Sequence, residues 1–193
     1  MTAAIRRKAR ESALLCATFF ESHADEVERC AHALADRFER GGRLLVIGNG
    51  GSECDAQHVA VEFAHPIVQN RRALPAHALG ESAALVTAIG NDGDFSRVFV
   101  DQIDLFGRGP DVVLGISTSG ASLNVNRALR RARERKLMTI GFTGRDGGAM
   151  PALCDFIFIV PSWSVHRVQE VHTVLLHLLW DTVHVVQGAP DVL

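Results

Sequence analysis

Five short apolar runs recur along the chain: LLVIG (44–48), AHALG (76–80), DVVLGIS (111–117), MTIGFTG (138–144) and DFIFIVP (155–161). Several are apolar throughout rather than alternating with polar residues. An alternating strand can leave one face in water, but an unbroken apolar strand needs cover on both faces, as in a parallel sheet. Helical patterns lie between the runs, at 53–64, 95–106 and 122–135, and a long helix over 165–187 closes the chain. Strands alternating with helices predict a doubly wound, three-layer α/β/α sandwich around a five-stranded parallel sheet. In such folds ligands bind beyond the carboxyl ends of the strands, so the loops after the apolar runs are where chemistry is expected.

Residues 1–40 form a helical extension ahead of the α/β core and C-terminal helix of 41–193. Leu14, Leu15, Thr18 and Phe19 make one apolar stripe, and Val27, Ala31, Leu34 and Phe38 another. Ser22, with Asp25 and Glu26 behind it, suits a helix start, so a break near Ser22–His23 and two helices are expected. At 193 residues, without repeats or linkers, a single domain is the default. A net charge of −2 argues against a nucleic-acid binder driven by basic charge. The basic run at Arg127, Arg130, Arg131, Arg133, Arg135 and Lys136 alternates with Ala128, Leu129 and Ala132, as the solvated face of a helix does. Cys16, Cys30, Cys54 and Cys154 form no C-x-x-C pair and read as reduced thiols of a cytoplasmic protein. No stretch reaches the roughly 18 apolar residues of a membrane span, and MTAAIRRKARESALL has no signal-peptide core.

The first loop, GNGGS (48–52), follows a strand and opens a helix. Glu53 stands where a dinucleotide fingerprint needs its third glycine, and its charge would repel a pyrophosphate. Either this is a tight turn alone, or Asn49 and Ser52 meet a polar ligand that approaches the backbone. The loop STSGAS (117–122) places four hydroxyls and a glycine before a helix. One N-cap, at Ser119 or Ser122, needs one hydroxyl, so the excess favours a phosphate held by hydroxyls and backbone N–H groups. Asp92, in GND (90–92), fits either a turn or an acceptor for sugar hydroxyls. His58 and Glu62 lie four apart and share a helix face, which suits a metal or proton transfer. The C-terminal helix carries Gln169, Glu170, His172, His177 and His184. His177, set among Val174, Leu175, Leu176, Leu178, Leu179 and Trp180, needs a buried partner, which could be metal, carboxylate or backbone.

GNGGSECDAQHVAVEF, TAIGND, ISTSGASLNV, GFTGRDGG and RVQEVHTVLLH occur in this order across residues 46–177. In these motifs the chain resembles the bacterial phosphoheptose (sedoheptulose 7-phosphate) isomerases of the sugar isomerase (SIS) fold, over nearly its whole length. The resemblance implies a five-stranded parallel sheet in flavodoxin-like order. It implies conversion of D-sedoheptulose 7-phosphate to D-glycero-D-manno-heptose 7-phosphate through an enediol, towards surface polysaccharide heptose. It also implies a homotetramer with active sites between subunits, and bound Zn2+. By motif position, His58, Glu62, Gln169 and His177 match the zinc ligands, and Glu62 and His177 the acid–base pair. Ser117, Thr118, Ser119, Gly120 and Ser122 match the phosphate loop. Asn49, Gly51, Ser52, Asp92 and Gln169 match residues lining the substrate.

The chain departs from that family at several positions. Glu62 is followed by Phe63, Ala64, His65 and Pro66, where the family pattern resembles E-F/L-x-x-R. Ser82, Gly93 to Ser96, Asp101 and Val165 also differ from the usual residues. A paralogue isomerising another phosphosugar is therefore an alternative. So are a sugar-phosphate sensor and a non-catalytic SIS tetramer that binds the replication initiator. That last kind lacks the glutamate and the final histidine, which Glu62 and His177 supply here.

Overall fold

In a computed structural model, residues 1–191 of the chain are described. In chain order the elements are α1 (Thr2–Glu39), β1 (Leu44–Ile47), α2 (Gly51–Ala64), β2 (Ala76–Ala78), α3 (Ala83–Asp92), α4 (Val100–Phe106), β3 (Val112–Ser117), α5 (Leu123–Glu134), β4 (Met138–Gly144), β5 (Phe156–Val160) and α6 (Val165–Val186). All five apolar runs become strands. They pair in parallel in the order β2-β1-β3-β4-β5, the flavodoxin-like arrangement with its switch point between β1 and β3. Every residue of β1, β3 and β4 is buried, as unbroken apolar strands require.

Two cores flank the sheet. One packs Leu44, Val46, Leu114, Ile140 and Phe142 against α1, α2 and α6, through Leu34, Phe38, Phe63, Leu175 and Trp180. The other packs Leu45, Ile47 and Val113 against α4 and α5, through Ile103, Val125 and Leu129. Fully burying each such side chain contributes about 1.5–3 kcal/mol, so these layers hold the sheet far more firmly than any surface ion pair.

Three expectations about elements change. The N-terminal segment is one helix of 38 residues, not two. At the expected break the Ser22 hydroxyl donates to Thr18 O and His23 Nδ1 donates to Phe19 O, so both side chains bond back onto the helix instead of capping a new one. The helix expected over 95–106 divides into a 3-10 turn, Phe95–Arg97, and α4. Asp94 divides it from what precedes: its carboxylate accepts from both the backbone N–H and the hydroxyl of Ser96. Finally, residues around GND belong to α3 rather than to a turn, capped at its start by Ser82 accepting from Leu85 N. With Gly90 and the β-branched Val86, Thr87 and Ile89, α3 has weak intrinsic helix propensity, and none of its residues is fully buried.

Candidate active site

The loops after β1, β3, β4 and β5 all open at the carboxyl edge of the sheet, and the turn with Asn49 and Ser52 and the serine loop lie there. β1 runs into a turn in which Gly50 takes φ +56°, a conformation that favours glycine, and Ser52 N donates to Asn49 O. This turn starts α2 with no side-chain cap. The close approach at Gly51 has a definite cause: a Cβ there would lie 2.3 Å from Nε2 of Gln169, so the first turn of α2 is seated against the Gln169 amide of α6.

Further along α2, His58 and Glu62 project on one face, with His58 Nε2 3.4 Å from Glu62 Oε1. His177 comes from the middle of α6, its ring centroid 4.9 Å from that of His58 at 77°. Ligand atoms of His58, Glu62 and His177 all lie within 4.8 Å of one another. All three side chains are half-buried, so a ligand can reach them. Thus α2 and α6 bring together residues separated by more than half the sequence. Gln169, about two turns before His177 on α6, sits over Gly51.

The end of β3 and the loop after it carry four hydroxyls, at Ser117, Thr118, Ser119 and Ser122. Ser122 occupies the N-cap position of α5 but makes no capping hydrogen bond. Its hydroxyl pairs instead with that of Ser117, 3.0 Å away. Ser119 Oγ accepts from Ala121 N within the loop. Gly120 adopts φ +64° and presses against the loop after β4: a Cβ on it would lie 2.0 Å from Gly147 O. Gly144 is similarly close to Thr118 O, at 2.8 Å. The serine loop is therefore shaped by glycines on two loops, while its hydroxyls remain largely uncommitted to capping.

Glu53, which breaks the dinucleotide fingerprint, turns towards the end of β2, where a Cβ on Gly80 would lie 2.2 Å from its carboxyl carbon. Burial raises its pKa, against the hydrogen bonds from Gln57 and the Gly48 backbone, which lower it. Asp92 ends α3 and is exposed, accepting from Asn91 Nδ2. It lines a hollow with Gly93, Arg97 and Asp101, apart from the histidine cluster. Two residues went unassigned in the sequence. Asp55, one turn before His58, has Oδ2 buried without a partner, and burial pushes its pKa up to about 6 against the opposing charge of His58. Asn124 exchanges hydrogen bonds with Asn49. The second asparagine of the GNGG…SLN pattern was the only signal for it.

This fold, with a serine-rich loop after β3 and a His/Glu/His group on α2 and α6, is that of a SIS-domain protein: residues 9–144 match the SIS domain. The chain is 47% identical to the phosphoheptose isomerase of Solidesulfovibrio magneticus over 169 residues, covering 88% of this chain and 82% of that protein. Its structure superposes on the phosphoheptose isomerase of Neisseria gonorrhoeae with a TM-score of 0.89 at 34% identity, covering 97% of this chain and 99% of the other. The phosphoheptose isomerase structure from Francisella tularensis gives 0.90 at 31% identity, with 95% and 97% covered. The chain belongs to the phosphoheptose isomerase family of SIS-domain proteins, and it is a phosphosugar isomerase.

Proposed function

We propose that the protein converts D-sedoheptulose 7-phosphate to D-glycero-D-manno-heptose 7-phosphate through an enediol. The observation that carries this is the convergence of Glu62 and His177 with His58, their ligand atoms all within 4.8 Å of one another. Ketose-to-aldose conversion moves a proton from C1 to C2 and another between the two oxygens, with the enediol between the two steps. Glu62 and His177 are the pair that accepts and returns these protons, since a carboxylate or an imidazole held at hydrogen-bonding distance can exchange them near neutral pH. The hydroxyls of Ser117, Thr118, Ser119 and Ser122, with Gly120 allowing close approach, hold the phosphate against the start of α5. Asn49, Gly51, Ser52 and Gln169 line the sugar, whereas Asp92 lies in its separate hollow with Arg97 and Asp101.

The donor set fits zinc: two imidazoles and a carboxylate already lie within 4.8 Å of one another. His58, Glu62, Gln169 and His177 would hold the ion, and Zn2+ would supply Lewis-acid polarisation of the substrate carbonyl. Four free thiols suit a cytoplasmic protein, and no described helix is long and apolar enough to cross a membrane. The assembly proposed is a homotetramer with active sites between subunits. Ile5 and Leu14 on α1, Val61 on α2 and Val174 and Leu178 on α6 leave apolar side chains uncovered on three helices of one face of the sheet.

The test is an isomerisation assay on sedoheptulose 7-phosphate in D2O with zinc-loaded protein, following aldose formation and deuterium entry at carbon. Product labelled from solvent is expected. No turnover of any ketose phosphate would overturn the reading. A second reading, isomerisation of another phosphosugar, draws on the segment after Glu62, where His65 ends α2 immediately before Pro66. A screen of five- to seven-carbon ketose phosphates separates the two by their relative kcat/KM.

A further inference from the structure

Asn124, the second residue of α5, is 4% exposed and has no role in the chemistry above. Its Nδ2 donates to Asn49 Oδ1 at 2.8 Å, while Asn49 Nδ2 donates to Asn124 Oδ1 at 2.9 Å. The Val125 backbone N–H also donates to Asn124 Oδ1, at 3.0 Å. That main-chain donor settles which end of the Asn124 amide is oxygen, and the closed pair then settles the orientation of Asn49. The two amides belong to different ligand loops: Asn49 to the turn that opens α2, Asn124 to the helix that follows the serine loop. Two residues on, Asn126 Nδ2 donates to Gly120 O at 3.0 Å, so the same turn of α5 also grips the serine loop from behind.

We infer that Asn124 is a positioning residue: through its amide pair with Asn49 it sets the register between the phosphate seat and the His58, Glu62 and His177 group. The inference rests on the serine loop being that seat. A sugar phosphate held at its phosphate end reaches the acid–base pair only if the two loops keep a fixed separation. Misplacement by about 1 Å can cost on the order of a hundredfold in rate. The pair uses one donor and one acceptor of the Asn49 amide and leaves one of each for a sugar hydroxyl. Asn124 thereby also orients a substrate contact.

The experiment compares Asn124→Ala, Asn49→Ala and the double variant. Each is measured for kcat and KM on sedoheptulose 7-phosphate and for the rise in Tm on adding inorganic phosphate. Asn124→Ala should lower kcat by about tenfold or more while the phosphate-induced rise in Tm is kept. The double variant should be no slower than Asn49→Ala alone, because the two act as one unit. Asn124→Asp keeps the size but cannot donate to Asn49 Oδ1 when ionised, and it carries the same expectation should the alanine variant fail to fold. A kcat within about twofold of the unsubstituted protein, or losses that multiply in the double variant, would overturn the inference. So would loss of the phosphate effect in step with kcat, which would make Asn124 a phosphate-affinity residue instead. Should inorganic phosphate fail to raise the Tm of the unsubstituted protein, the phosphate-seat reading falls first, and the inference with it.

Discussion

At the scale of single residues, the function proposed above separates groups that move protons from groups that hold substrate. Glu62→Gln keeps shape but removes the base, and His177→Gln removes an imidazole. Each should reduce turnover by at least a hundredfold, on the order of an acid–base contribution, with the assembly intact by light scattering. Ser119→Ala should chiefly raise KM, and an unchanged KM would count against the phosphate loop. His172 shows how a histidine can be structural instead. It is fully buried, Nε2 donates to Thr143 O at 3.2 Å, and Nδ1 has no partner. Burial pushes its pKa down to about 4, against that hydrogen bond. The folded protein thus holds it neutral below the pH at which an unfolded chain protonates it, near 6.5. Its contribution is complete above about pH 6.5 and is lost as pH falls towards 4, worth about 3 kcal/mol in all. Urea unfolding at pH 7.5 and 4.5 should show this slope, and His172→Gln should flatten it. The sequence placed His172 and His177 alike on one apolar helix, and only their neighbours distinguish them. His172 faces β4, whereas His177 faces α2.

At the scale of elements, the strands were legible because burial on both faces leaves a pattern that nothing else in a soluble chain needs. β4 coincides with its apolar run, MTIGFTG. Helix boundaries were less legible, since a serine can cap a helix or bond back onto one with the same local sequence. The continuity of α1 depends on Phe19, Val27, Ala31 and Leu34, which share one buried face across the expected break. Ser22→Pro tests it. Proline would remove the backbone donor and clash within the turn, costing about 3 kcal/mol or more in thermal or urea unfolding. An unchanged Tm would mean that the two halves fold as separate helices. α3 was missed because its stabilisation comes from little burial and weak propensity, so its sequence carries almost no periodic signal.

For the whole molecule, the two edges of the sheet have different tasks. The carboxyl edge carries the candidate ligand loops, while the amino edge is locked by Asp111, which is 1% exposed. Its carboxylate accepts from the Arg43 backbone N–H at 2.9 Å, from Arg43 Nη2 at 2.7 Å and from Arg108 N at 2.9 Å. Removing this buried carboxylate leaves two backbone N–H groups without their acceptor, at about 1–3 kcal/mol for each buried donor left unsatisfied. Asp111→Ala should therefore lower the urea midpoint substantially and leave KM for the sugar phosphate unchanged. A shifted KM would show that strain passes from one edge of the sheet to the other. The sequence by itself determined the layered parallel architecture and the chemical kinds of side chain at the carboxyl edge, because strand burial and loop composition are local and periodic properties. Tertiary structure decided which of those side chains meet. His58 and Glu62 face His177 only because α2 crosses α6. Gln169 lies over Gly51 only because that residue has no Cβ. Asn49 is oriented by Asn124 across the gap between β1 and β3. Such contacts join residues far apart in the chain, and their geometry comes from packing, which leaves no spacing rule in the sequence to read.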